Sequence, residues 1–324
     1  MIPVNSSFFN WMMDVLRALA GLRSAPLDFI MQCLTKLGHE ALFVVVACTL
    51  LYCVDKQQGY RFLFMFNFGQ IANQALKVIF AVPRPWVVDP AFKPVEAALP
   101  DATGWSFPSG HTQSAVMMYG GLARTIRKWW GYLAAAILSL LIGFTRMYLG
   151  VHTPLDVAAG LVLGVAAIAF SDLLFSLFGN KKHFIPVVAG ICSFLTLAYL
   201  VAVIVFDKAS ALYADDVSVA ATLFGLSFGA FCGCLIERRF INFDVKAVWW
   251  VQIIKVALGL GLMLGLRAIL KYLFGLIPCS VVTKGLLDGV RYFIMIFAGL
   301  AVYPFSFRVL VKLDRKSHGE KAGS

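Results

Sequence analysis

Charged residues are scarce in this 324-residue chain. Asp, Glu, Lys and Arg together make up 14% of it, whereas 60% of the residues are hydrophobic. Soluble domains usually contain about 25% charged and about 45–50% apolar residues. The composition therefore argues against a water-soluble globular protein, and the excess apolar surface is expected to face lipid.

Acidic residues are the scarcer charged type, with 17 Asp and Glu against 28 Lys and Arg, a net charge of +11. In a membrane protein such an excess usually reflects orientation and contact with anionic lipid headgroups. Membrane lipids are therefore expected partners, and no nucleic-acid partner is expected. The sequence leaves the oligomeric state open.

Paired cysteine motifs are also missing. The seven cysteines are odd in number and show neither a disulfide framework nor a metal-ligand spacing, so no metal site is expected. No cleavable signal peptide is evident, because nothing basic precedes the first apolar residues. Low-complexity segments and clear repeats are absent as well.

Long apolar stretches are abundant, and most are close to the roughly 20 residues that a membrane-spanning helix requires. They predict an all-α, polytopic transmembrane helix bundle of about nine spans. The nine predicted spans are Leu37–Val54, Phe62–Val82, Ser109–Leu122, Trp130–Leu149, Pro154–Phe178, Phe184–Phe206, Val217–Ile236, Val248–Leu270 and Phe293–Val309.

An amphipathic pattern over Phe8–Leu22 predicts an N-terminal helix lying in the membrane interface, with a packing helix at the rim of the bundle as the alternative. We divide the chain into an N-terminal interfacial segment (1–36), a core (37–179) and an additional four-span C-terminal region with its tail (180–324). Glycines four residues apart predict close helix packing inside the bundle, with a dimer interface as the alternative. These are Gly160 and Gly164, Gly225, Gly229 and Gly233, and Gly261 and Gly265.

Basic residues are distributed unevenly over the connecting segments, with fifteen on one predicted membrane face and eight on the other. Positive residues tend to stay in the cytoplasm. The N-terminus and the long loop 83–108 are therefore expected on the non-cytoplasmic side, and the C-terminal tail in the cytoplasm. The protein is expected to be a multi-pass protein of an inner or plasma membrane.

Three clusters of reactive residues fall on this non-cytoplasmic face. They are Lys77 with Arg84-Pro85, Pro108-Ser109-Gly110-His111, and Thr145-Arg146 followed by His152 and Asp156. Ser109 is a predicted N-cap, where free backbone N–H groups form an anion site. Lys77, Arg84 and Arg146 add cationic donors suited to a phosphoryl group.

The other three side chains of the clusters, His111, His152 and Asp156, suit the chemistry of phosphoryl transfer. Asp156 accepting one N–H of His152 would leave the other ring nitrogen free to attack phosphorus. His111 would protonate the leaving oxygen and later activate water.

Each residue alone also has a structural explanation. Asp156 three residues after Thr153 nearly matches a capping box, and Lys or Arg at span ends usually reach lipid headgroups. His39 is interpreted as a solvated histidine at the interface. The combination on one face is what favours a catalytic site.

Lys77-x6-Arg84-Pro85, Pro108-Ser109-Gly110-His111 and Thr145-Arg146-x5-His152-x3-Asp156 together resemble the signature of the type 2 phosphatidic acid phosphatase superfamily. The resemblance covers a little over a third of the chain. It implies that His152 is the nucleophile forming a phosphohistidine, Asp156 its partner and His111 the general acid and base. By the same resemblance the phosphate is held by Lys77, Arg84, Ser109, Gly110 and Arg146, and no metal or other cofactor is required. Thr145 departs from the pattern, which usually has Ser there.

The expected function is thus a metal-independent membrane phosphatase acting on a lipid phosphate or diphosphate at the non-cytoplasmic face. A sugar-phosphate phosphatase of the glucose-6-phosphatase type and a lipid phosphotransferase are alternatives with the same site. A lipid-binding or transport protein without activity is the non-enzymatic alternative. The sequence does not identify the lipid.

Overall fold

The computed structural model describes residues 7–307, which form helices and connecting turns without a strand among them. The all-α prediction is confirmed for this part of the chain. In chain order the helices are α1 Ser7–Ala20, α2 Ala25–Thr35, α3 Glu40–Thr49, α4 Lys56–Phe80, α5 Pro85–Val88, α6 Gly110–Ile126, α7 Trp129–Tyr148, α8 Pro154–Phe178, α9 Phe184–Phe206, α10 Tyr213–Ile236, α11 Trp249–Gly275 and α12 Val281–Phe297. Short 3₁₀ or π turns occupy Lys36–Gly38, Leu50–Val54, Glu96–Asp101, Glu237–Ile241, Ala298–Val302 and Tyr303–Ser306.

Six helices are long and apolar enough to cross a membrane, namely α7, α8, α9, α10 with its π turn, α11 and α12 with its turns. A seventh span arises if Ala25–Gly38 and Glu40–Val54, bent by 42°, count as one. Nine spans are therefore not confirmed. The α4 helix carries polar residues along its length, and α6 has only 17 residues, about 26 Å against the roughly 30 Å of a bilayer core.

The last helix also differs from its prediction, because α12 begins at Val281 and not near Phe293. Within α12, the Nη2 of Arg291 lies 2.9 Å from Oδ1 of Asp288. The hydroxyl of Ser218 donates to the same carboxylate at 2.6 Å. These charges interrupt the apolar stretch in the sequence, but their pairing allows the helix to continue through them.

The described chain forms two compact units. One contains residues 7–44 and 68–173, and the other contains residues 45–67 and 174–307. The three-part division made from the sequence stays a prediction, and the predicted cytoplasmic tail lies beyond the residues that the structure describes.

In the first unit, the long loop between α4 and α6 is held down by apolar contacts. Tyr148, Leu149 and Val151 form a buried cluster with alanines of the loop, and Trp86 packs against this cluster. The backbone N–H of Val95 donates to the carbonyl of Leu149 at 3.0 Å. The loop is thereby fixed over the turn between α7 and α8.

The α1 helix, Ser7–Ala20, covers most of the segment for which an N-terminal helix was predicted, and it packs on this loop. Met13 and Leu16 of α1 are buried together with Phe92, and Arg17 lies 2.8 Å from Asp89. Trp11 remains 53% exposed. The buried contacts agree with the packing alternative, and an interfacial position stays a prediction.

In the second unit, α10 and α12 approach closely along the glycines of α10. A Cβ added at Gly229 would lie 2.8 Å from the carbonyl oxygen of Phe293, and one at Gly225 would overlap the backbone of Gly289. By contrast, an added Cβ at Gly261 or Gly265 in α11 meets no atom of the described residues within 4 Å. Packing within the bundle is therefore not seen for the α11 pair among the described residues, and the dimer-interface alternative stays a prediction for it.

Candidate active site

His152 lies in the turn between α7 and α8, where its side chain is almost fully buried. Its Nε2 is 3.0 Å from Nη1 of Arg84, and its Nδ1 is 3.5 Å from Oδ2 of Asp156. The same Nη1 is 3.5 Å from Nδ1. Because a guanidinium only donates hydrogen bonds, the shorter contact favours Nε2 as the acceptor and Nδ1 as the nitrogen that carries the proton. Burial, followed by the charges of Arg84, Arg146 and Lys77, lowers the pKa of His152 well below its usual value.

Asp156 is held on the first turn of α8 by a capping box. Its Oδ2 accepts the backbone N–H of Thr153 at 2.7 Å, and its own N–H donates to the hydroxyl of Thr153 at 3.3 Å. The same Oδ2 accepts the hydroxyl of Ser106 at 2.7 Å. The structural and the catalytic interpretations of Asp156 are thus compatible, because one carboxylate caps the helix and faces His152.

Arg84 is clamped by the backbone of the loop and of the α7–α8 turn. It donates to the carbonyls of Gly104, Thr103 and Val151 at 3.0, 2.6 and 2.9 Å. The side chain is 5% exposed, and burial lowers its pKa to about 10. Arg84 therefore remains positively charged at neutral pH. Its hydrogen-bond acceptors here are neutral carbonyls, and its charge interacts electrostatically with Asp156.

Two further cations lie near this centre. Arg146 is fully buried in the last turn of α7, and Nη1 donates to the hydroxyl of Thr35 at 3.1 Å. Lys77, in the last turn of α4, interacts electrostatically with Arg84, Asp156 and Arg146. Three basic side chains from three segments thus lie around His152, while the carboxyl groups of Asp156 and Glu40 both interact electrostatically with Lys77. The excess of basic groups favours binding of an anion.

The start of α6 completes the arrangement. Ser109 is the residue before the helix, as predicted, but its side chain makes no capping bond. Its hydroxyl accepts from Thr112 at 2.9 Å, and its backbone N–H donates to the carbonyl of Asp156 at 2.9 Å. Gly110 begins the helix, so the free N–H groups of the first turn lie beside these residues.

His111 follows on the same turn. It interacts electrostatically with Arg146, His152, His39 and Lys77. Its Nε2 is buried and has no hydrogen-bond partner among the described residues. An unpaired imidazole nitrogen inside a polar site is available to exchange a proton with a bound ligand.

The three clusters predicted from the sequence therefore come together in the first unit. Thr145 is also buried there, but its hydroxyl donates to the carbonyl of Ile142 in its own helix at 2.7 Å. Ser106 was missed by the sequence analysis, although it hydrogen-bonds Asp156 with its hydroxyl and His152 through its backbone. No spacing in the sequence marks this serine, since it stands in the loop between two aromatic residues.

Comparison with known proteins agrees with this site. Residues 58–178 match the model of the PAP2 superfamily, and residues 221–316 match that of the PAP2 superfamily phosphatase transmembrane extension. An undecaprenyl-diphosphatase of Sulfolobus acidocaldarius is 31% identical over 142 residues, 43% of this chain and 66% of that protein. A phosphatidylglycerophosphatase B of Bacillus subtilis is 28% identical over 164 residues, 46% of this chain and 75% of that protein.

A crystal structure of a transmembrane PAP2-type phosphatidylglycerolphosphate phosphatase from Bacillus subtilis aligns with a TM-score of 0.46 and 24% identity, covering 55% of this chain and 92% of that chain. The resemblance first seen in the three motifs is confirmed by the two family models, which between them match both the site and the later apolar helices. The chain is a multi-pass membrane protein of the PAP2 superfamily.

Proposed function

We propose that this protein is a metal-independent membrane phosphatase that hydrolyses a lipid phosphate or diphosphate through a phosphohistidine on His152. The observation that carries the proposal is the contact of His152 with Arg84 on one side and Asp156 on the other, inside a buried and cationic site. This arrangement favours the tautomer with the proton on Nδ1 and the lone pair on Nε2, which is the atom that attacks phosphorus in the proposed step.

In the first step, Lys77, Arg84 and Arg146 bind the equatorial oxygens of the phosphoryl group, together with Ser109 and Gly110. The Nε2–P bond forms, and the bond from phosphorus to the leaving oxygen breaks. His111, which takes up a proton when the phosphate anion binds beside it, gives this proton to the leaving oxygen, so that an alkoxide departs as the alcohol and a phosphate departs protonated. Asp156 stabilises the positive charge that develops on the ring of His152.

In the second step, His111 removes a proton from water as the water oxygen attacks phosphorus. The Nε2–P bond breaks, inorganic phosphate leaves, and His152 recovers its lone pair. Arg84 supports both steps, because its charge faces Nε2 and the transferring oxygens alike.

A lipid substrate is supported by the relatives, whose names refer to undecaprenyl diphosphate and phosphatidylglycerophosphate. We also propose that the site faces the non-cytoplasmic side. The asymmetry of basic residues supports this orientation. Because the end of α4, the start of α6 and the α7–α8 turn contribute to one site, they must share one face of the membrane.

The test is phosphate release by detergent-purified protein in the presence of a chelator. The substrates are undecaprenyl diphosphate, phosphatidylglycerophosphate, phosphatidic acid, sphingosine phosphate and glucose 6-phosphate. His152→Ala is expected to abolish release, while His183→Ala, which changes an exposed histidine before α9, should leave it unchanged.

The outcome also separates the alternatives. Release from glucose 6-phosphate alone would favour the sugar-phosphate alternative. Transfer of label to an acceptor lipid in place of water would favour a phosphotransferase. A folded protein that binds orthovanadate, an analogue of phosphate, but releases no phosphate from any substrate would contradict the hydrolase proposal.

A further inference from the structure

A short connection between α2 and α3 reaches the catalytic centre. We call residues 35–40 the elbow. The elbow precedes the part of the chain that matches the PAP2 superfamily model, residues 58–178, and it contains none of the three motifs. In the structure it belongs to the same compact unit as the motif residues.

Thr35 is the first contact of the elbow with the site. Its side chain is 2% exposed, and its Oγ1 accepts a hydrogen bond from Nη1 of Arg146 at 3.1 Å. The carbonyl of Asp101 is farther from the same guanidinium, at 3.5 Å. Within the part of the chain that the structure describes, the Nε of Arg146 has no partner. Of the two hydrogen bonds that orient Arg146, the one to the hydroxyl of Thr35 is thus the shorter.

The chemistry of this acceptor suits a phosphate-binding arginine. A carboxylate in the same place would hold the guanidinium but neutralise it. A hydroxyl oxygen orients the guanidinium group and leaves its full positive charge available to a phosphoryl oxygen. The pairing therefore favours positioning of Arg146 for an anion over a purely structural ion pair.

The elbow also contacts the start of α6. A Cβ added at Gly38 would lie 3.1 Å from the carbonyl oxygen of His111 and 2.7 Å from Cγ2 of Ile142. The absence of a side chain at Gly38 thus permits the elbow to come this close. Beside it, the ring of His39 meets the ring of His111 edge-on, with centroids 5.9 Å apart and planes at 73°.

The conformation of His39 is fixed by its own backbone contact. Its Nδ1 accepts the N–H of Ala41 at 3.1 Å, so the ring is held in one orientation against His111. The sequence interpretation of His39 as a merely solvated histidine is therefore incomplete. Its half-buried ring lies against the residue to which we assign general acid and base chemistry.

We propose that the elbow is part of the active site, with Thr35 as a positioning residue for Arg146 and His39 as a positioning residue for His111. The inference rests on the proposed function, because it assigns the two partners their roles in phosphate binding and proton transfer. It adds two residues that the three motifs do not contain.

The Thr35 pair of variants tests the first half. Thr35→Val keeps the shape and removes the acceptor, whereas Thr35→Ser keeps the hydroxyl. We expect Thr35→Val to raise KM and the inhibition constant of orthovanadate by about tenfold, with a smaller change in kcat. Thr35→Ser should restore both constants to within about twofold of the wild type. Thr35→Ala removes the same acceptor and replaces the valine variant if that variant does not fold.

The His39 variants test the second half. His39→Ala is expected to lower kcat several-fold with little change in KM, since His111 acts on the proton and not on phosphate binding. His39→Phe keeps a ring edge against His111 and should recover most of kcat. His183→Ala is the matched control, since it removes an exposed histidine in the other unit.

The proposal would be overturned if Thr35→Val kept the wild-type KM and vanadate inhibition constant and His39→Ala kept the wild-type kcat. An equal rise of KM and of the vanadate inhibition constant in Thr35→Ser and Thr35→Val would also overturn the role of the hydroxyl. A wild type that releases no phosphate would instead count against the proposed function. Binding then tests the elbow separately, because a given concentration of orthovanadate should raise the melting temperature of wild type and Thr35→Ser more than that of Thr35→Val.

Discussion

The neighbours of His152 determine its protonation state. Its side chain is buried. Three basic residues, Arg84, Arg146 and Lys77, interact with it electrostatically, whereas Asp156 is the carboxylate that contacts it. Both burial and the positive neighbours disfavour the imidazolium form. The residue is therefore neutral at neutral pH and stays neutral under conditions where an exposed histidine would already be protonated.

We expect the midpoint of the His152 titration well below pH 6.5. The measurement is NMR of histidine-labelled protein, with His152→Ala to assign the signal. Arg84→Met should raise the midpoint, because it removes a positive neighbour, whereas Arg124→Met, at an exposed pair with Asp172, should not. A midpoint at or above 6.5 in the wild type would contradict the assignment.

Ser106 supports the same centre from the loop. Its buried hydroxyl donates to Oδ2 of Asp156 at 2.7 Å. We expect Ser106→Ala to lower kcat by about tenfold, since it removes one donor that orients a buried carboxylate. Steady-state kinetics measure the effect. Ser193→Ala, which removes a buried hydroxyl bonded to its own helix α9, should leave kcat unchanged.

At the scale of the helices, α4 and α6 were predicted as spans but are not among the six long apolar helices, and both lie at the candidate site. On α4, Gln70 donates to Glu40 and Asn73 donates to Gln113 of α6. Such side chains lower the hydropathy of both helices while hydrogen-bonding their neighbours. The discrepancy in span number thus arises where polar side chains of α4 and the shortness of α6 accompany the candidate site.

Glycine has different roles in α8 and α11. A Cβ added at Gly160 of α8 would lie 2.6 Å from the carbonyl oxygen of Ser109, so α8 packs directly on the start of α6. We expect Gly160→Ala to destabilise the protein by about 1–3 kcal/mol and to reduce activity, because it displaces Ser109 and its neighbours.

The matched variant is Gly261→Ala, since an added Cβ there meets nothing within 4 Å among residues 7–307. It should be neutral or more stable by up to about 1 kcal/mol, because alanine restricts the unfolded chain. Thermal unfolding and phosphate release measure both variants. Equal effects of the two substitutions would show that contact with Ser109 is not the cause.

At the scale of the whole molecule, the uneven distribution of basic residues predicts the orientation. Ala91 in the long loop and Lys181 after α8 are both exposed and are predicted on opposite faces. In a background with the exposed Cys33 and Cys279 changed to serine, Ala91→Cys should react with an impermeant maleimide in sealed right-side-out vesicles. Lys181→Cys should react only after permeabilisation. The reverse pattern would contradict a non-cytoplasmic site.

Much of the site was predictable because its residues are grouped in short motifs. Local spacing places His152 and Asp156 on one turn, and Ser109 and His111 at one helix start, whatever the rest of the fold does. Contacts made by Thr35, His39 and Ser106 were not predictable in this way. Each depends on how distant segments pack, and a single hydroxyl or imidazole carries no pattern of its own.

The sequence by itself determined that the protein is a helical membrane protein, because its composition reflects contact with lipid. It also determined which residues form the proposed phosphate site, because their spacing in short motifs reflects local geometry. The tertiary structure decided which helices are long and apolar enough to span, which glycines touch a neighbour, and which side chains orient Arg146 and Asp156. Those properties depend on pairs of residues far apart in the chain, and only packing brings such pairs within hydrogen-bond distance.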